Sequence, residues 1–137
     1  ETPFDEGEGG PGGWWILDEP EVHFILDTEV AVPDIAGWRQ RRLAELPDTA
    51  WIDVVSDWAC EALSPSTADK DRVVKQAIYA REGVGHLWFV DPIARTVEVF
   101  ALGEQRHWSL LAAVQGDADV ALPPFEALEF ALGRLWD

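Results

Sequence analysis

The chain has no methionine and a single cysteine, Cys60, among its 137 residues. One thiol cannot close an internal disulfide, so the fold must rest on its core, and a reducing cytoplasmic compartment suits it. The absent methionine, with Glu1 as first residue, leads us to expect a fragment that has lost its N-terminal part. No run of eighteen apolar residues occurs, which excludes a membrane-spanning helix. A basic-then-apolar leader is not present either, so no secretory signal is expected. Repeats and heptads are missing, which argues against solenoids and coiled coils. Cations are scarce: 10 Lys and Arg face 26 Asp and Glu, for a net charge of -16. That balance excludes a protein built to coat nucleic acid, whose affinity needs many Lys and Arg contacts to phosphate.

What remains is the profile of one soluble domain, 47% hydrophobic and 26% charged. Charge is unevenly spread. Positions 1–38 hold ten acidic and no basic side chains, positions 39–81 seven of each, and positions 82–137 nine acidic against three basic. An anionic partner is therefore expected to meet the middle stretch. Residues 1–13 read as a flexible, acidic and Gly-rich lead-in to a domain spanning 14–137. Gly7, Gly9 and Gly12 match the spacing G-x-G-x-x-G. Without a preceding strand or a following helix, and among carboxylates, they cannot cradle phosphate.

From Trp14 onward the pattern alternates. WWILDEP and EVHFIL read as strands, with a turn at Asp27-Thr28, and Pro33 marks a bend beside Asp34. RQRRLAEL (39–46) suits one or two helical turns. WIDVVSDWACEAL (51–63) reads as a strand interrupted near Ser56-Asp57, and from Trp58 it is apolar on both faces except at Glu61. Residues 69–82 predict an amphipathic helix, capped through Ser64, Ser66 or Thr67 and stopped by Gly83. Its expected buried stripe is Val73, Val74, Ala77 and Ile78. HLWFVD and RTVEVFAL predict a hairpin turning at Pro92-Ile93-Ala94, with Asp91 in the turn, and RHWSLLAAV a further strand. The tail, FEALEFALGRLW, fits a strand or a short helix. Trp14, Trp51, Trp58, Trp88 and Trp108 fall at core-like positions, which argues against a sugar-stacking surface. His86 and His107 read as structural, and Cys60 as a small core residue. The fold class is mixed α/β (α+β), a helix packed on a curved sheet.

Three residues could carry chemistry: Asp34 at the bend, Glu61 on the apolar strand and Lys75 on the helix that follows. Carboxylates from adjacent strands can share a hard divalent cation, which lowers the pKa of bound water and polarises a phosphoryl oxygen. A nearby lysine can neutralise charge developing on phosphate. Each has a plainer reading. Asp34 could cap a turn, Glu61 could pair with Arg72 or Arg81, and Lys75 could pair with Asp71 in a stripe of Asp71, Lys75 and Tyr79. Glu21, His23 and Tyr79 are secondary candidates for the site; Glu21 and His23 could instead belong to a solvated strand face.

The segments VPDIAGW, WACEALSPST, DRVVKQAIYAREGV and HLWFVDPIARTVEVF resemble the Uma-two (Uma2) family, over nearly all of Gly10 to Trp136. The family is classed with the PD-(D/E)XK nucleases. The resemblance implies a restriction-endonuclease-like fold, a mixed β-sheet flanked by helices, and hydrolysis of DNA phosphodiester bonds with Mg2+ or Mn2+. By position Pro33-Asp34 corresponds to the PD motif and Glu61 to the acidic member of (D/E)-x-K. Leu63 stands in the place of the motif lysine, and Lys75 where a helix-borne lysine replaces it. On that basis Asp34 and Glu61 are the expected metal ligands, with Lys75 catalytic and DNA the substrate; a homodimer is expected because the β-rich C-terminal half offers sheet edges. Two other classes compete. One is a catalytically inactive nuclease-fold domain, a dimeric binding or scaffold protein; the other is a glycoside hydrolase with its carboxylates about 5–9.5 Å apart.

Overall fold

In the computed structural model, residues 13–24, 29–43, 45–49, 51–64, 68–117, 119–125 and 130–131 are described. The lead-in, the Asp27-Thr28 turn, the caps at Ser66 and Thr67 and most of the tail lie outside them. Five strands precede the helix: β1 (Trp14–Asp18), β2 (Val22–Phe24), β3 (Glu29–Ala31), β4 (Ile35–Arg39) and β5 (Trp58–Ala62). Then come α1 (Ala68–Glu82), β6 (His86–Asp91), β7 (Thr96–Leu102) and β8 (Trp108–Gln115), followed by the short β9 (Asp119–Val120) and β10 (Phe130–Ala131).

Six strands form one mixed sheet in the order β1-β4-β5-β6-β7-β8. Only β5 and β6 run parallel, in a register that sets Glu61 beside Phe89. Parallel neighbours need a crossover, and α1 supplies it. The remaining pairs are antiparallel, β6 and β7 joined at the turn expected after Asp91. There Asp91 Oδ1 accepts the backbone N–H groups of Ile93 and Ala94, both at 3.0 Å, a side-chain turn of the kind aspartate favours. Among the described residues, no helix is long and apolar enough to cross a membrane.

The sheet divides the core in two. One face carries Trp14, Ile16, Trp58, Cys60, Trp88, Val97 and Val99, closed over by Leu122 and Phe125. The other carries Ala36, Trp38, Ala59, Leu87 and Phe89, and packs on Tyr79 of α1 and on the β2–β3 hairpin. Buried indoles also tie loops to the sheet, because a buried N–H must find an acceptor. Trp38 Nε1 donates to the Val54 carbonyl and Trp88 Nε1 to that of Pro123, both at 2.7 Å. Gly37 is required by close packing, since a Cβ there would lie 3.1 Å from the Trp14 ring and 3.2 Å from that of Trp58.

Three expectations are corrected. Positions 39–46 make a turn rather than a helix among the described residues: Leu43 N–H reaches the Arg39 carbonyl at 3.2 Å, and the chain then leads on through Pro47. The strand expected from residue 51 begins at Trp58, with one isolated bridge from Ile52 to Val22 ahead of it. Most telling, α1 is rotated. Val73 is 69% exposed and Val74 and Ala77 face solvent, while Tyr79 and Glu82 are buried; of the expected stripe, Ile78 does pack on the core. The helix turns its polar stripe of Arg72, Lys75 and Tyr79 toward the sheet because the sheet meets it with carboxylates.

Candidate active site

The β4–β5 register creates the site. Ile35 pairs with Cys60, so the antiparallel ladder carries Asp34, one residue earlier, opposite Glu61. Pro33 has no N–H to offer a ladder, and the chain bends at Asp34 where the pairing begins. Asp34 Oδ2 accepts the Ala62 N–H at 2.7 Å, and the Asp34 backbone N–H donates to the Glu61 carboxylate. Side chains alternate along β5, so Cys60 enters the Trp58 side of the core and Glu61 faces α1.

Glu61 is only 6% exposed. Two groups of α1, one turn apart, meet its Oε2: the Tyr79 hydroxyl donates at 2.5 Å and Lys75 Nζ lies at 3.7 Å. Burial pushes the Glu61 carboxyl up from 4.5 to about 7. The Tyr79 bond, the Lys75 charge and the Asp34 N–H pull it back, while the Asp34 charge adds to the rise. Tyr79 is held far above its ordinary value by burial and then by Glu61, so it remains a donor. The Cys60 thiol is likewise pushed up, by burial first and then by the Glu61 and Asp34 charges, which makes it an inert core residue.

A second pair flanks the first. Across β5, β6 and β7, Glu61, Phe89 and Glu98 share one row. Arg72, three residues before Lys75, forms an ion pair with Glu98, its guanidinium 5.0 Å above the Phe89 ring. Glu98 escaped the sequence reading. Its only signal was an acidic residue within a β run, at the row that also carries Glu61. Arg72 and Arg81, considered as partners of Glu61, are engaged elsewhere, with Glu98 and Glu82. The side chain of Asp71 lies outside the described residues.

Glu21 and His23 do not join this cluster among the described residues. They pair with each other at 2.8 Å at the start of β2, where the His23 ring stacks on Trp51. Trp51 is 43% exposed, against the core position expected for it.

Two carboxylates from adjacent strands suit a divalent cation of the Mg2+ type, which takes one or two carboxylates and otherwise keeps water or substrate oxygens. The mutual repulsion of Asp34 and Glu61 is what such a cation relieves. Among the described residues no third His, Cys, Asp or Glu joins them.

A mixed sheet with a βαβ crossover and an acidic pair at the strand leading into it defines a nuclease-like α+β fold. The crystal structure of a "putative nuclease belonging to DUF820" from Anabaena variabilis ATCC 29413 is similar, with a TM-score of 0.68 at 22% identity, over 90% of this chain and 68% of that one. The Uma2 family, described as "Putative restriction endonuclease", matches residues 8–133, and the chain belongs to it. No curated protein matches the chain significantly.

Proposed function

We propose that the protein is a cytoplasmic, Mg2+- or Mn2+-dependent endonuclease that hydrolyses DNA phosphodiester bonds. The observation carrying this reading is the convergence of Asp34, Lys75 and Tyr79 on the buried Glu61 carboxylate. Asp34 and Glu61 would hold the cation, which when bound would supply Lewis acidity and activate water at neutral pH. Lys75 sets a positive charge where negative charge develops on the phosphate. Tyr79 fixes the Glu61 rotamer and holds one of its oxygens. The family description and the nuclease fold support the reaction class. A homodimer is supported by β8, an edge strand of eight uncharged residues that exposes Leu110 and Leu111.

The test is calorimetric titration of Mn2+ and Mg2+ into the chain and into Asp34→Ala and Glu61→Ala variants, followed by nicking of supercoiled plasmid. Binding by the parent chain, lost in each variant together with nicking, is the expected result. A parent chain that binds neither cation refutes the reading and leaves a nuclease-fold domain acting as a binding or scaffold protein. Normal Mn2+ binding by one variant removes that residue from the ligand set.

A further inference from the structure

Beyond the β1 edge of the sheet lies a cavity of about 230 Å³, walled by Leu17, Pro20, Pro47 and Ile52, with Trp51 and Glu21 at its polar side. It is smaller than pockets for drug-sized ligands, which begin near about 300 Å³, and equals the space of about eight waters. Its Trp51 wall is built firmly. Ile52 N–H donates to the Glu21 carbonyl and His23 N–H to that of Ile52, both at 2.8 Å, and the Thr49 hydroxyl bonds the Trp51 carbonyl at 2.5 Å. The His23 ring lies on the Trp51 ring, centroids 5.1 Å apart and planes within 4°, and its Nε2 meets Glu21 Oε1 at 2.8 Å. Among the described residues, Oε2 of Glu21 has no partner.

Among the described residues no Lys or Arg lines this cavity, so it does not suit a phosphate. An indole face, an apolar slot and a carboxylate acceptor suit a flat heteroaromatic ring bearing an amino group, and Trp51 already carries one flat heterocycle face to face. One backbone bond ties the start of this cavity to the bend that carries Asp34. Glu19, next to the Pro20 wall, donates its N–H to the Asp34 carbonyl at 2.8 Å. Resting on the DNA-cleaving reading above, we propose that this pocket takes one unpaired nucleobase of the DNA substrate. The base stacks at Trp51 and donates its exocyclic amino group to Glu21, while its phosphate is held at the Asp34 end. The acidic pocket keeps the sugar-phosphate chain out and admits the base alone. A carboxylate acceptor favours cytosine, whose N4 amino group it can bind, over thymine, which has no amino group.

The experiment is fluorescence anisotropy of a dye-labelled duplex with Ca2+ replacing Mg2+, so that binding is read without cleavage. Three duplexes differ at one unpaired position, which carries cytosine, thymine or an abasic site. This chain is expected to bind the cytosine duplex about 5- to 150-fold more tightly than the abasic one, the gain from stacking one base. Trp51→Ala should bring the two within about twofold, Trp51→Phe should restore the difference, and Glu21→Ala should erase the preference for cytosine over thymine. Because Trp51 is half-exposed, its variants should keep the parent circular dichroism spectrum. Equal affinity for cytosine and abasic duplexes, or a difference that survives Trp51→Ala, overturns the proposal and leaves the nuclease reading standing. Oligolysine binding lost in Trp51→Ala, without any base preference, overturns it in favour of a basic protein partner. Failure to bind even the abasic duplex sinks the DNA reading and this proposal together.

Discussion

Replacing Glu61 by glutamine keeps the side chain's shape and removes its ionisation, so the variant separates packing from charge. Burial raises the carboxyl from 4.5 to about 7 in the folded chain. The native state therefore holds a proton that the unfolded state releases between those two values. Stability is then full below about 4.5 and falls as pH rises toward 7, because ionised Glu61 is disfavoured where it sits. At about 1.36 kcal/mol per pH unit the whole window is worth roughly 3 kcal/mol, and between pH 5 and pH 8 roughly 2 to 3 kcal/mol. Glutamine keeps an acceptor for Tyr79, but its amide nitrogen forfeits a bond to Asp34 or to Lys75, at about 1 kcal/mol. Glu61→Gln should therefore be slightly less stable than the parent at pH 5 and more stable by about 2 kcal/mol at pH 8. Urea unfolding in a chelator at both pH values reads this directly, with the slope checking that both chains unfold alike. Adding Mn2+ at pH 8 should stabilise the parent by about 2.7 kcal/mol at a hundred times the dissociation constant, and leave the variant unmoved. A stability difference between the two chains that does not change with pH would refute the assignment of a strained carboxylate at this position.

Tyr79→Phe removes the short bond to Glu61 Oε2, so the pH midpoint of Mn2+ binding, followed by calorimetry, should move upward; an unchanged midpoint would mean the hydroxyl does not hold the carboxylate. Lys75→Met should shift the same midpoint upward through loss of its charge, and lower plasmid nicking more than cation affinity. Gly37→Ala should destabilise the chain by about 1–3 kcal/mol, measured by thermal or urea unfolding, because the new methyl meets Ile16, Trp14 and Trp58.

The sheet was legible because its strands are short runs of apolar, β-branched and aromatic residues, alternating or buried on both faces, and the helix because of its start and its Gly83 stop. Gly83 adopts a positive φ of 88°, and its N–H and that of Val84 both reach the Tyr79 carbonyl at 3.0 Å, closing the helix as the sequence anticipated. Asp34, Glu61, Lys75 and Tyr79 could be brought together from sequence because a bend, a lone carboxylate in an apolar strand and a polar stripe on the next helix are local signals. Glu98 could not, since its place in the row depends on a register two strands away. Trp51 was misplaced for a related reason. A β-like run from Trp51 to Val55 looks like core, but its backbone pairs only once, through Ile52, and leaves the indole at the surface.

The rotation of α1 ties these successes and failures together. Hydrophobic periodicity assigns a helix face by assuming that the sheet beneath it is apolar, and here the sheet carries Glu61 and Glu98. A buried carboxylate without a partner is strongly disfavoured, so the helix turns Lys75, Tyr79 and Arg72 inward and leaves Val73 and Val74 outside. Local pattern and tertiary arrangement thus disagree at one face of this helix, while the strands of the six-stranded sheet lie where the pattern puts them, β5 shortened at its start. Such disagreement is expected at functional sites, where a polar group is kept in place against the preference of the core. The rotated helix therefore marks the Glu61 row as the part of this fold shaped by chemistry more than by packing.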